Sequence, residues 1–420
     1  MTTELFKQHL MNNLIPFWNR MQDPQYGGFY GEMTQDLTLH KTADKGVILN
    51  SRILWFYSTA YQVLDTDVSG NPSVEPSFRK ELLSMADHAY QFLKNACLDK
   101  EYGGIYWSMT YDGKPSDTTK HSYNQAFAIY ALSAYYLASH NKEALDIAYS
   151  LYELLESKCR DKDGYLEAFH RDFSPASNEK LSENGVLAER TMNTLLHVLE
   201  AYSELYRADA SPKVATSIRE ALDLFHDKIY NPQKQICEVF FDKDYHSLID
   251  LESFGHDIEA SWLIDRACEV LKDDSYHQKM QPIIDGLAEA AYRNAYDQKL
   301  HALNNERENT QVDCRKIWWV QAESVVGFYN AYTRSTSSEA AGSNVTTQTD
   351  SREYLAASQD IWEFIQTHLV DKRCGEWFES LQPDNSVTPG EGIVHAWKCP
   401  YHNGRMCLEM ITRLTGSIKS

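Results

Sequence analysis

A short turn-and-strand unit recurs along this chain, and its even spacing constrains the fold more than any other feature. The clear copies are DPQYGGFYGEM at 23–33, DKEYGGIYWSM at 99–109, DKDGYLEAF at 161–169 and DKRCGEWFESL at 371–381. Degenerate copies stand at 231–241 (NPQKQICEVFF) and 296–306 (YDQKLHALNNE). Each opens on a turn-forming cluster of Asp, Asn or Gly and runs into a short alternating or aromatic stretch, which predicts a β-hairpin. Successive copies begin about 60 to 75 residues apart, the signature of a repeat architecture.

Two amphipathic stretches fill each interval. After the second copy come SYNQAFAIYALSAYYLASH and then NKEALDIAYSLYELLESKC. Apolar residues recur at i, i+3, i+4 and i+7 in both, so both are predicted helices. The first is apolar almost all round, as a helix buried on every side must be, and the second has one apolar face. Six such pairs predict an all-α fold, an (α/α)6 barrel of inner and outer helices with short hairpins between the pairs. An open α-solenoid is the alternative; six units close a toroid without capping repeats. The chain is then expected to be one domain, 1–420, interrupted by a flexible surface loop at 335–351 (STSSEAAGSNVTTQTDS).

The starts of the six expected inner helices are polar before they become apolar. They supply Asn50 and Arg52; Tyr123 and Gln125; Asn193 and His197; His256 and Glu259; Trp319, Gln321 and Glu323; and Tyr401, His402 and Arg405. If the N-termini share one end of the barrel, these side chains converge on one cavity, where helix dipoles favour developing negative charge. A lone histidine at a helix start is more often a capping or core residue. Three at equivalent depth, His197, His256 and His402, point instead to proton handling, because imidazole serves as acid and base near neutral pH.

Other chemistries fit less well. A lone His-x-x-Glu pair at 256–259 is expected in this ring, and metal ligation is set aside on that ground. Hydrolysis would need two flanking carboxylates; Glu259 and Glu323 are available, but three histidines would then be superfluous. Arg52 and Glu323 could equally form a buried ion pair, and Trp319 and Trp397 could be plain packing. No G-x-S-x-G is present, and the Gly-Gly pairs fall in hairpins rather than before helices.

The net charge of −20 disfavours nucleic acid and anionic membranes as partners. Eight scattered cysteines without a C-x-x-C pair suit a reducing compartment, and no signal-peptide pattern or bilayer-length apolar run is evident. A cytoplasmic protein, monomeric or weakly dimeric, is expected. The 26 tyrosines and 9 tryptophans are mostly core material, although flat rings also line sugar-binding clefts.

GVILNSRILWFYSTAY, KHSYNQAFAIYAL, MNTLLHVLEAY, SFGHDIEASWL, WWVQAE and WKCPYHNGR together resemble the N-acylglucosamine 2-epimerase superfamily, in its cellobiose-epimerising branch. The resemblance runs through the whole chain apart from the Ser/Thr-rich stretch. It implies the (α/α)6 barrel and a cofactor-independent, metal-free epimerisation at C2 of the reducing-end glucose in β-1,4-linked disaccharides such as cellobiose and lactose. Monosaccharide action, as in mannose 2-epimerases or mannose isomerases, is the alternative. By the same resemblance His256 and His402 move the C2 proton from opposite faces. His197 assists ring opening, with Glu259 as a carboxylate partner. Arg52 holds the sugar oxygens, Tyr123 and Asn193 make further hydroxyl contacts, and Trp319 and Trp397 stack on the sugar rings; Glu323, from its place among the inner-helix starts, is a further candidate for the substrate pocket.

Overall fold

The computed structural model describes residues 1–64, 74–181, 184–340 and 349–416. Every repeat of the turn cluster becomes a tight antiparallel pairing: Gln22 with Phe29, Leu98 with Ile105, Arg160 with Tyr165, Tyr230 with Cys237, Tyr296 with Leu303 and Val370 with Trp377. The cause is local. The side chains of Asp23, Asp99, Asp161, Asn231, Asp297 and Asp371 accept backbone N–H groups two or three residues on, the Asx turn. Cations just ahead of the next helix pin four of these turns: Lys45 to Asp23 (2.6 Å), Lys120 to Asp99 (3.0 Å), Arg190 to Asp161 (2.6 Å) and Lys316 to Asp297 (3.8 Å).

The rest is predominantly helical. The inner helices are Val47–Val63, Ser122–Ser139, Met192–Asp209, Phe254–Leu271, Trp318–Ala340 and His402–Thr415. Their outer partners are Pro76–Phe92, Lys142–Leu154, Pro212–Leu224, Asp274–Ala295 and Ser351–Phe364, with the N-terminal run Thr3–His9, Leu10–Leu14 and Ile15–Asn19 in the remaining outer place. Burial follows the pattern of the sequence. Ser122–Ser139 is buried on nearly every face, whereas Lys142–Leu154 buries only Ala144, Ala148, Leu151 and Tyr152, a stripe at helical spacing.

Short strands stitch each repeat to the next. The residues entering one inner helix pair with the strand that follows the next hairpin: Lys45–Gly46 with Ser108–Met109, Lys120–His121 with Ala168–Phe169, and Arg190–Thr191 with Phe240–Phe241. Leu251–Ser253 with Glu306–Glu308 and Lys316–Ile317 with Ser380–Leu381 continue the series. Met33 bridges Val394 and so ties the first hairpin to the last helix start. Consecutive inner helices pack on one another, and His402–Thr415 packs against Val47–Val63. All six inner N-termini are therefore held at one end.

The expected loop at 335–351 needs correction. The inner helix continues through Ala340, and the next helix begins at Ser351 on an Asp350 capping box. Ser/Thr composition does not stop the helix because its hydroxyls bond within it: Thr333 to the Asn330 carbonyl, Thr336 to Tyr332 and Ser337 to Thr333. Residues 341–348 lie outside the described residues. No helix among the described residues is long and apolar enough to cross a membrane, and all eight cysteines are free thiols.

Candidate active site

Spacing along the inner helices builds the site in two tiers. His256, Trp319 and His402 occupy the first turns of their helices and His197 the second. Glu200, Glu259, Glu323 and Arg405 follow three or four residues later on the same helices, about 5 Å deeper at 1.5 Å per residue. The upper tier is imidazole and indole; the lower tier is three carboxylates around one guanidinium.

Arg405 holds the lower tier together. Its Nη1 donates to Glu200 Oε1 at 2.5 Å and to the Tyr401 hydroxyl, while Nη2 contacts Glu259 Oε1 and Glu323 Oε1, the latter at 2.8 Å. Tyr401 donates in turn to Glu200 Oε2 at 2.5 Å, and Trp262 Nε1 donates to Glu323 Oε2 at 3.1 Å. The four charged residues are almost fully buried. Burial raises the Glu200 carboxyl, but Arg405, His197 and Tyr401 outweigh it and bring it down to about 2. Glu323 goes the other way: burial, with Glu259 and Glu200 nearby, pushes it up to about 8 against the pull of Arg405. The balance of burial against the shared cation thus falls in opposite directions on the two, lowering Glu200 and raising Glu323.

Each histidine is anchored through Nδ1. His197 Nδ1 meets Glu200 Oε2 at 2.8 Å, His402 Nδ1 meets Glu323 Oε1 at 2.7 Å, and His256 Nδ1 meets Ser253 Oγ at 2.7 Å. None of the three makes an Nε2 hydrogen bond among the described residues. Burial, reinforced by Arg405 and Arg52, keeps the His402 imidazole well below its ordinary range. Burial also lowers His256, with Glu259 opposing, although His256 keeps an edge open to solvent. Trp319 lies between these two, its ring 4.8 Å from His256 and 5.5 Å from His402. Gly255 makes room for it: a Cβ there would come within 2.5 Å of the Trp319 ring.

Arg52 closes the other side. It donates from Nη2 to the Tyr123 hydroxyl (2.8 Å) and from Nη1 to the Trp397 carbonyl (3.2 Å), and lies 4.2 Å from the Phe127 ring centroid and 4.6 Å from that of Tyr401. It is 2% exposed, its Nε is a buried donor without a partner, and no carboxylate lies within ion-pair distance among the described residues. Such a buried cation is available to an anion that forms nearby. Tyr123 packs edge-on against His197 (5.0 Å) and Trp397 (5.8 Å). Asn193, one turn before His197, has a buried Oδ1 without a partner.

Several expectations change. His256 and Glu259 do not bond each other: Ser253 takes the histidine and Arg405 takes the glutamate. Arg52 and Glu323 are not an ion pair; Glu323 belongs to Arg405 and His402. The expectation of a lone His-x-x-Glu was wrong, because His197–Glu200 is a second such pair, written plainly in HVLE and here joined directly. Asn50, Gln125 and Gln321 face away from the histidines and bond the backbone of the hairpins at Phe29, Ile105 and Leu303. Trp107 was missed: it meets Trp397 edge-on at 5.7 Å, with Lys180 Nζ 5.1 Å from its ring centroid. Its place in the aromatic run of a hairpin copy was the available signal. For a metal ion, ligand atoms of Glu259, Glu323 and His402 lie within 4.8 Å of one another. A cation there would have to displace Arg405, which already contacts both carboxylates.

Comparison with known proteins places the chain in a family. The model of the N-acylglucosamine 2-epimerase (GlcNAc 2-epimerase) family matches residues 28–403. A cellobiose 2-epimerase of Eubacterium cellulosolvens is 49% identical over 428 residues, covering 98% of each chain. The crystal structure of a sugar epimerase from a ruminal bacterium superposes with a TM-score of 0.90 at 45% identity, covering 98% of this chain and 99% of that one. The structure of cellobiose 2-epimerase from Bacillus thermoamylovorans gives 0.88 at 40% identity over 98% and 99%. On the family match and the full-length identity together, this chain belongs to the N-acylglucosamine 2-epimerase family.

Proposed function

We propose that this protein is a cellobiose 2-epimerase. It reversibly converts the reducing-end glucose of β-1,4-linked disaccharides such as cellobiose and lactose to mannose, within one (α/α)6-barrel domain of residues 1–420. The carrying observation is the common anchoring of His197, His256 and His402 through Nδ1, which leaves each Nε2 for substrate. The likeness to cellobiose 2-epimerases supports the choice of sugar.

The chemistry follows from the open-chain sugar, whose C1 carbonyl acidifies the C2–H bond. His197 takes the proton of the O1 hydroxyl and returns it to O5 as the ring opens. One imidazole of the His256–His402 pair then removes the C2 proton onto Nε2. The C–H electron pair becomes the C1–C2 double bond, and the carbonyl pair moves onto O1. Arg52 compensates the enediolate. The other imidazole, protonated, delivers its proton to the opposite face of C2 as the carbonyl reforms. No electrons are gained or lost, and configuration at C2 inverts. Glu259 and Glu323 serve through Arg405 in this reading, Tyr123 and Asn193 contact hydroxyls, and Trp319 and Trp397 stack on the two rings.

Hydrolysis is disfavoured because Glu259 and Glu323 converge on the same Arg405 nitrogen rather than flanking a scissile bond. The protein acts in the cytoplasm without a cofactor, as a monomer or weak dimer, and its net charge of −20 disfavours nucleic-acid binding. Incubation with cellobiose and, separately, with mannose tests the reading by product chromatography. Formation of the mannose-ended disaccharide supports it; conversion of mannose alone would move the protein to a mannose 2-epimerase or isomerase. Saturable binding without product would leave a sugar-binding barrel.

A further inference from the structure

One helix carries titratable side chains along a whole face. On Met192–Asp209, His197, Glu200, Glu204 and Arg207 stand at i, i+3, i+7 and i+10, consecutive turns of one stripe. Side-chain exposure rises steadily down that stripe: 2% for His197, 5% for Glu200, 10% for Glu204 and 28% for Arg207. Other inner helices also bring charge to this end, such as Arg266 on Phe254–Leu271 and Glu409 on His402–Thr415, whereas Ser122–Ser139 has no charged residue at all.

Two cavities lie along it. The first, about 50 Å³, is lined by Glu200, Ser203 and Glu204. The second, about 120 Å³, reaches the C-terminal ends of the inner helices at Gln62 and Thr415. Trp55, Thr59, Arg207, Arg266 and Glu409 wall both, so the two are adjoining chambers of one shaft. The Thr59 hydroxyl is a buried group without a protein partner. The smaller chamber exceeds the roughly 10–15 Å³ that a cavity needs to hold a water, and its walls offer the polar partners such a water needs. Its inner end is Glu200, whose Oε2 is bonded to His197.

We propose that this shaft is a water-filled proton route, through which His197 exchanges its Nδ1 proton with solvent at the end of the barrel opposite the sugar. The steps are proton hops along hydrogen bonds. When His197 carries a proton on both ring nitrogens, its Nδ1–H bond breaks as an O–H bond forms on Glu200 Oε2, leaving the neutral ring protonated at Nε2. That proton passes to chamber water, and a proton from the water side returns to His197 by the reverse path. Glu200 Oε2 is the acceptor that the geometry sets on Nδ1, and Arg405 holds that carboxylate in place. The route matters for the proposed reaction, on which the inference rests, because a bound disaccharide would cover the histidine end.

Proton NMR tests it on the free protein, without any sugar. The imidazole proton between His197 and Glu200, and as internal control the one between His402 and Glu323, are assigned by their loss in His197→Gln and His402→Gln. Neither His402 nor Glu323 lines the shaft. Ser203→Leu fills the smaller chamber and should slow exchange of the His197 proton with water roughly tenfold or more, leaving the His402 proton unchanged. Thr59→Leu, intruding from the facing helix, makes the same test should Ser203→Leu fail to fold. An unchanged His197 rate, or equal slowing of both protons, would overturn the proposal. Failure of the wild-type protein to act on cellobiose would overturn the epimerase reading alone and leave this result standing.

Discussion

Replacing Arg405 with Met keeps the length and most of the volume of the side chain but removes the one cation that Glu200, Glu259 and Glu323 share. Breaking a buried pair by deleting one partner costs about 3–5 kcal/mol, because the remaining charge stays in a low-dielectric site. At about 2.1 cal/mol/K per residue, unfolding of 420 residues has an entropy of roughly 0.9 kcal/mol/K, so the loss appears as a Tm drop of roughly 3–6 °C. Its pH dependence is the sharper test. In the wild type Glu200 is depressed to about 2; its contribution is present above the unfolded carboxyl value and lost only as pH falls toward 2. Without Arg405 the buried carboxyls titrate above their unfolded values, so the variant regains stability as pH falls and they become neutral. Differential scanning calorimetry of both proteins at pH 8 and pH 5 should show the larger Tm gap at pH 8. A gap below about 1 °C, or one equal at both values, would refute the view that Arg405 neutralises the lower tier.

Further outcomes follow from the same geometry. His256→Gln and His402→Gln should each lower kcat by roughly 10²–10⁴ while Tm and disaccharide affinity change little, measured by steady-state kinetics beside thermal melts. Arg52→Lys keeps the charge but loses the planar fork that bonds Tyr123 and the Trp397 carbonyl, and should cost roughly 10² in kcat, rescued in no part by salt. Because burial holds His256 and His402 below the ordinary imidazole range, the imidazole that takes the C2 proton stays neutral into mild acid, and the acid limb of kcat/KM against pH should fall below about 6.5. A limb at or above that value would contradict the buried, neutral assignment.

What the sequence made legible follows from which forces act locally. An Asx turn needs only its own few residues, so DPQYGG, DKEYGG and even the degenerate NPQKQ can be read as hairpins before any packing is known. The one-faced outer helices are equally plain. Inner helices are not, because a helix buried on all sides has no polar stripe to orient it. Asn50 and Arg52, Tyr123 and Gln125, Trp319 and Gln321 stand two residues apart, and periodicity cannot say which of each pair faces the histidines. The structure gives the amides to the hairpin backbones and the others to the histidine side. The lower tier depends on long-range pairing through Arg405, which joins helices some 80 to 200 residues apart in sequence. Only the His197–Glu200 pair could have been read directly, from its i, i+3 spacing.

The most direct measurement is proton NMR of the reducing-end C2 position during incubation with cellobiose in D2O. Two-base exchange through an enediolate predicts a mannose-ended disaccharide that carries solvent deuterium at C2, with no such product from His256→Gln or His402→Gln. A product that keeps its original C2 protium would show that the hydrogen migrates within the sugar, and would contradict proton transfer by these histidines.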